Sequence, residues 1–149
     1  MGPDAARLPG DIHADGDVAE AGLAVLLEAS EKAVEDLGST VPPAQLRALL
    51  ILDRADGLNL SRLAAQLGAS ASATSRLCDR MQAADLLIRE RAAGSRREIV
   101  LLPTDSGRRL AGWIRQQRRA VLENLLATMS PDGRAALLRG LRELAAASG

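Results

Sequence analysis

Aromatic side chains are almost missing from this chain, which has one Trp and neither Phe nor Tyr among its 149 residues. Its core must then be built from Leu, Ala, Val and Ile, which suits packed helices. The same lack argues against a ligand pocket made by aromatic stacking. A single cysteine, Cys78, excludes an internal disulfide framework. The lone histidine, His13, has no partner at metal-ligand spacing, so no zinc site is expected. No Ser–His or Cys–His pair suggests nucleophilic catalysis, and no Gly-rich phosphate loop is present. The expectation is no metal, no cofactor and no enzyme. No apolar run reaches membrane-spanning length and the N-terminus has no signal-peptide core, so the reading is a cytoplasmic protein with no membrane partner.

What remains is a globular composition, 47% apolar, at a length that suits one domain with a real core. Net charge is zero, but it is unevenly spread. Residues 1–59 hold 11 acids and 4 bases, a net of −7, whereas residues 60–149 hold 8 acids and 15 bases, a net of +7. For a polyanionic partner a local basic face matters more than the total. Of the 19 bases, 18 are Arg, the residue suited to phosphate and guanine edges. A GC-rich coding bias would favour Arg everywhere and explains most of that excess, so the argument rests on positions.

Residues 1–16 show no periodicity and read as a flexible N-terminal tail, leaving 17–149 as a single domain. From Asp17 to Leu37 apolar residues recur with acids between them, an amphipathic helix with Gly38 as its C-cap. A second helix opens at Val41-Pro42-Pro43 and runs to about Ala55. Leu58-Asn59-Leu60 can form a very short strand. Thr104 can cap a long helix through about Met129, with the stripe Leu110, Trp113, Ile114, Val121, Leu122, Leu125 and Met129; Trp113 is expected in the core. Ser130-Pro131 starts a last helix carrying Leu137, Leu138, Leu141 and Leu144. The helices at about 17–38 and 104–147 carry more apolar stripe than a small domain can cover, which points to a homodimer.

The run from 60 to 110 is the most informative. Ser61 can cap a short helix over 62–67 that ends in a turn at Gly68, and Ser70 can cap the next helix, about 71–84. On that helix Thr74, Leu77, Cys78 and Met81 share one face, and Ser72, Ser75, Arg76 and Asp79 fall on the other. Leu86 to Arg91 and Arg97 to Leu102 read as strands around an Ala92–Ser95 turn. Helix, turn, helix and basic hairpin in that order describe a winged helix-turn-helix: mainly α, with a β-hairpin wing and terminal dimerisation helices. In such proteins the second helix enters the major groove, and arginines of the hairpin can reach backbone or minor groove. The DNA-binding core is about 41–103. Its candidate contacts are Ser61, Ser70, Ser72, Ser75, Arg76, Arg80, Arg89, Arg96 and Arg97, with Glu90 and Glu98 available to order some of the wing arginines.

From Val41 to about Leu110 the chain resembles the multiple-antibiotic-resistance regulator (MarR) family. The matching pieces are VPPAQLRALL at 41–50, LSRLAAQLGAS at 60–70, TSRLCDRM at 74–81, LLIRER at 86–91 and RREIVLLPTDSG at 96–107. The resemblance implies a homodimer on palindromic double-stranded DNA, usually a repressor, and often one that releases DNA when a small lipophilic or phenolic effector binds between the dimer helices and the reader. Ser72, Ser75 and Arg76 match reader positions, and Arg97 matches the wing-tip Arg ahead of a Thr-x-x-Gly that here begins at Thr104. Two positions depart from the pattern. Ser95 replaces the Asp that would hold the wing Arg by a charge-assisted bond, and Asp85 replaces the Gly ahead of the first wing strand. Two other readings use the same residues. One is a winged-helix protein-interaction module without DNA, set apart by whether Arg76 and the wing Arg share an exposed basic face. The other is a redox-sensing regulator working through Cys78, although a cysteine on an inward helix face reads as a small hydrophobe.

Overall fold

A computed structural model describes residues 12–35, 41–92 and 98–147. Its elements are α1 (Ile12–Glu35), α2 (Pro43–Ala55), α3 (Leu60–Leu67), α4 (Ala71–Ala83), β1 (Leu87–Arg91), β2 (Ile99–Pro103), α5 (Asp105–Ala127) and α6 (Pro131–Ala147). The expected class holds: mainly helical, with one antiparallel hairpin. The chain divides into two units, Leu37–Gln117 and a second made of Met1–Asp36 with Arg118–Gly149.

In the first unit, leucines spaced by threes and fours give each helix one buried side. Ala48, Leu49 and Leu52 of α2, Leu63 of α3, and Leu77, Cys78 and Met81 of α4 meet Leu86, Leu87, Leu101 and Ala111 in one cluster. Truncating Leu49, Leu52 or Leu63 to Ala would cost about 2–5 kcal/mol each, because all three are fully buried. Pro43 sits in the first turn of α2, where its missing N–H is not needed.

The cap of α3 differs from expectation. Asn59, not Ser61, caps it, its Oδ1 accepting from the Arg62 N–H at 3.0 Å. Asn caps as well as Ser does, and starting at Leu60 brings that leucine against the core. Ser61 therefore lies inside the first turn, exposed. Gly68 ends α3 with φ 65°; its N–H donates to the Ala65 carbonyl while Ala69 N–H reaches that of Ala64. This Schellman closure needs a residue at ease in the left-handed region. Ser70 caps α4 as expected, accepting from the Ala73 N–H at 3.2 Å.

β1 and β2 pair antiparallel from Leu87↔Pro103 to Arg91↔Ile99. Of the expected short strand at 58–60 only Leu58 pairs, exchanging two backbone hydrogen bonds with Leu101; Asn59 and Leu60 are taken up by the start of α3. The first strand starts at Leu87 rather than Leu86, since the Leu86 N–H closes α4 on the Met81 carbonyl. The expected second-strand start at Arg97 lies outside the described residues, as does most of the expected turn; β2 is paired from Ile99. Asp85, where the family pattern has Gly, has φ 55°. The left-handed turn is thus kept by a residue that tolerates it better than most. It is held by Thr104 Oγ1 donating to its carbonyl and Ser106 Oγ donating to its Oδ2.

Thr104 caps α5 as expected, accepting from the Gly107 N–H at 2.9 Å. Gly107, Ala111 and Ile114 form the buried stripe of its first turns. Trp113, expected in the core, is 41% exposed, because one residue of rotation carries it off the side that Ile114 buries. Asp53 of α2, almost buried, accepts from Arg115 and lies 3.9 Å from Arg108, which also pairs with Asp56.

In the second unit α1 begins at Ile12 rather than Asp17, so residues 12–16 of the expected tail are helical. Asp15 suits the positive end of the helix, and a lone Gly16 costs only about 1 kcal/mol, too little to stop it. The expected cap Gly38 lies outside the described residues. Ser130 caps α6 as expected, accepting from the Gly133 N–H, and no residue of α6 is buried.

Candidate nucleic-acid interface

Both faces of α4 are fixed by its sequence. With Thr74, Leu77, Cys78 and Met81 buried, the residues in between must face out. Ser72, Arg76, Asp79 and Arg80 are exposed and Ser75 is half-buried. Their spacing makes a continuous stripe along the helix. Thr74 also donates its hydroxyl to the Ser70 carbonyl at 2.9 Å, which satisfies it inside the core. At the N-terminal end Ser70 and Ser72 stand 3.2 Å apart, hydroxyl to hydroxyl. Such small side chains leave the first turn open to close approach by a backbone.

Arg62, Arg76 and Arg80 are exposed, and among the described residues no side-chain hydrogen bond or ion pair holds their guanidinium groups. Each is a full positive charge available to a ligand. Arg89 behaves differently. Its Nη2 donates to Asp79 Oδ1 at 2.7 Å and its Nη1 to Gln82 Oε1 at 2.6 Å. Strand alternation explains this: Leu87 points into the core, so Arg89, two residues on, keeps to the side of α4. An ordering partner was expected among Glu90 and Glu98; for Arg89 it is Asp79. Glu98 Oε1 also accepts from Asn59 Nδ2 at 3.2 Å. Arg96, Arg97 and Ser95 lie outside the described residues.

Sequence reasoning missed Asn59 as a cap, and it missed Asp79 with Gln82 as the seat of Arg89. The second had no local signal: Asp79 and Gln82 lie one helical turn apart on α4, but only the packing of β1 on α4 brings Arg89 to them.

Cys78 is fully buried. Burial pushes its thiol pKa above the ordinary value; the nearby Arg89 charge pulls the other way and Asp79 adds to the rise. The neutral thiol is therefore the form present at neutral pH. Among the described residues no group of three or more His, Cys, Asp or Glu side chains is placed to hold a metal ion, and no helix is long and apolar enough to cross a membrane.

A capped helix, a left-handed glycine turn, a second helix with a basic outer stripe, and a hairpin bridged to the segment before them make up a winged helix-turn-helix domain. Residues 39–98 match the model of the MarR family, and the chain is similar to proteins of the same kind along most of its length. An uncharacterized HTH-type transcriptional regulator of Bacillus subtilis, YfiV, is 27% identical over 103 residues, 69% of this chain. The match spans 64% of the length of that curated relative, just under two thirds. The crystal structure of Rv1404 from Mycobacterium tuberculosis is 28% identical, with a TM-score of 0.80, covering 95% of this chain and 97% of that one. A MarR family protein from Bacillus stearothermophilus shares the fold at 20% identity and a TM-score of 0.78, covering 94% and 99%.

Proposed function

We propose that this protein is a transcriptional regulator that binds a palindromic operator as a homodimer, acts as a repressor in the cytoplasm, and responds to a small-molecule effector. The carrying observation is the outer stripe of α4, where Arg76 and Arg80 are exposed and unpaired among the described residues. Ser61, Ser70, Ser72 and Ser75 supply short hydroxyls to phosphate and groove edges. Arg76 is the base-reading residue, Arg62 and Arg80 are phosphate contacts, and Arg96 and Arg97 are the wing contacts. The domain roles follow: 41–103 reads DNA, while the helices at 17–38 and 104–147 pair with a second copy. An open groove of about 550 Å³ beside the wing, lined by Ile88, Leu102 and Pro103 together with the charged Glu90, Asp105 and Arg108, gives the reading unit room for a small effector.

A gel shift with duplex DNA from upstream of the protein's own gene tests this reading. Binding should weaken steeply as salt rises, since arginine–phosphate contacts release counterions. Arg76→Ala should cost about 1–3 kcal/mol and relax the preference for one base pair. Affinity and preference equal to the wild type would move the reader off α4 and favour a protein-interaction module.

The redox reading yields a separate expectation. With Cys78 buried and its thiol neutral, aromatic disulfide reagents should modify it only after unfolding. Peroxide should leave DNA binding intact. A native protein whose thiol reacts as fast as free cysteine, and which drops its DNA under peroxide, would reinstate the redox sensor.

A further inference from the structure

The geometry points to Arg89 as a positioning residue that fastens the wing to the recognition helix, with Asp79 as its anchor. This rests on the DNA-binding reading. An isolated two-stranded hairpin is marginally stable in water, so a wing that presents arginines to DNA needs tethers on both strands. On the β2 side one tether is backbone, Leu58 paired with Leu101, and beyond it Asn59 Nδ2 donates to the Glu98 side chain. Leu101 is the register partner of Arg89. At that same level β1 has its own tether, and it is a side chain. The Arg89 guanidinium forks onto Asp79 at 2.7 Å and Gln82 at 2.6 Å, two residues one turn apart on α4. A planar fork held at two points fixes a direction as well as a distance. The pairs beyond it, Glu90↔Val100 and Arg91↔Ile99, lead to the wing tip and take their aim from it.

This assigns an unexpected sign to Asp79. Its carboxylate stands exposed on the stripe proposed to face DNA, with its side chain 59% accessible. Taken as a charge alone, it repels phosphate and its removal should tighten binding. As the anchor of Arg89, its removal should loosen binding.

Asp79→Asn, Arg89→Gln and the double variant, each in the full-length chain, separate the two. The probe is a fluorescein-labelled duplex from upstream of the protein's own gene, titrated over a range of salt. Both single variants should bind about three- to tenfold more weakly. The slope of log affinity against log salt should stay at the wild-type value, and the double variant should be no weaker than the worse single one. Tighter binding by Asp79→Asn would overturn the proposal, as would a slope about one unit shallower in Arg89→Gln, the mark of a lost phosphate contact. Amide hydrogen exchange reads the tether without DNA. In either single variant the Arg91 and Ile99 amides should exchange faster while those of α2 do not change. Unchanged exchange at the hairpin would also overturn the proposal. A wild-type protein that shifts no duplex would fail the DNA-binding reading itself, while the exchange result would still decide whether Arg89 holds the hairpin.

Discussion

Deleting residues 131–149 should abolish operator binding and leave the protein monomeric or aggregated. Among the described residues of the removed segment no side chain is fully buried in the single chain, so a monomer would have little reason to keep it. Leu141 and Leu144 are 39% and 64% exposed on α6, and Val18, Leu23, Val25 and Leu27 of α1 are between 48% and 75% exposed. Each such side chain buried at an interface contributes up to about 1.5–3 kcal/mol. Apolar helical faces of this kind, in the unit that excludes α3, α4 and the hairpin, fit a second copy of the chain. Dimerisation also answers the problem set by the DNA. In the proposed dimer one α4 would read one half-site, and two joined on a two-fold axis would read half-sites about 34–36 Å apart. Losing the second reader removes avidity of about 10²–10⁴-fold, which takes an operator complex to the level of non-specific binding. Sedimentation velocity gives the oligomeric state and a gel shift the affinity. A truncated protein that stays a soluble dimer and still shifts its operator would place the interface elsewhere.

What could be read in the sequence divides along a physical line. Signals carried by a residue and its near neighbours were legible. The buried face Thr74, Leu77, Cys78, Met81 followed from helical spacing. The caps at Ser70, Thr104 and Ser130 followed from a hydroxyl ahead of a periodic run. Competition between equivalent local signals was harder. Asn59 and Ser61 both make good caps, and the burial of Leu60 decided between them. The start of α1 was misplaced because one glycine and several acids resemble a tail when the helix carries little buried surface to mark its face. Long-range pairs had no local signature. Nothing in the spacing joins Asp53 to Arg108 and Arg115, or Arg89 to Asp79; those pairs exist because α5 packs on α2 and β1 on α4. Trp113 shows the remaining gap. A hydrophobic stripe says which side of a helix is apolar, but not how much of it one chain covers. Of the candidate site, the α4 residues and Arg89 could be placed, and the wing-tip arginines lie outside the described residues.

Gly107→Ala should destabilise the protein, although helix propensity alone predicts the opposite. Alanine in place of glycine within a helix normally gains about 1 kcal/mol. At Gly107, however, an added Cβ would stand 2.3 Å from the Leu86 carbonyl oxygen and 3.1 Å from Leu49 Cδ1. The leucine methyl can turn aside, but the carbonyl cannot. It accepts from the Thr104 N–H at 3.2 Å, and Leu86 itself closes α4 on Met81. To admit the methyl, either α5 lifts away from Leu86 or its first turn unwinds. Both routes strain the Thr104 cap and the hydroxyl bond from Thr104 to Asp85 that holds the left-handed turn ahead of β1. Overpacking against fixed backbone costs about 1–3 kcal/mol and sometimes more; with so close an approach the upper end outweighs the propensity gain. The net loss should be about 2 kcal/mol, a fall of roughly 4–8 °C in the melting midpoint for a chain of this size. Urea and thermal melts of the full-length variant measure it. Because the strain falls at the root of the wing, operator affinity should drop as well, even where the protein is still folded. A variant as stable as the wild type would mean that α5 can slide on the Leu86 turn without cost, and the close approach at Gly107 would then play no part in setting the wing.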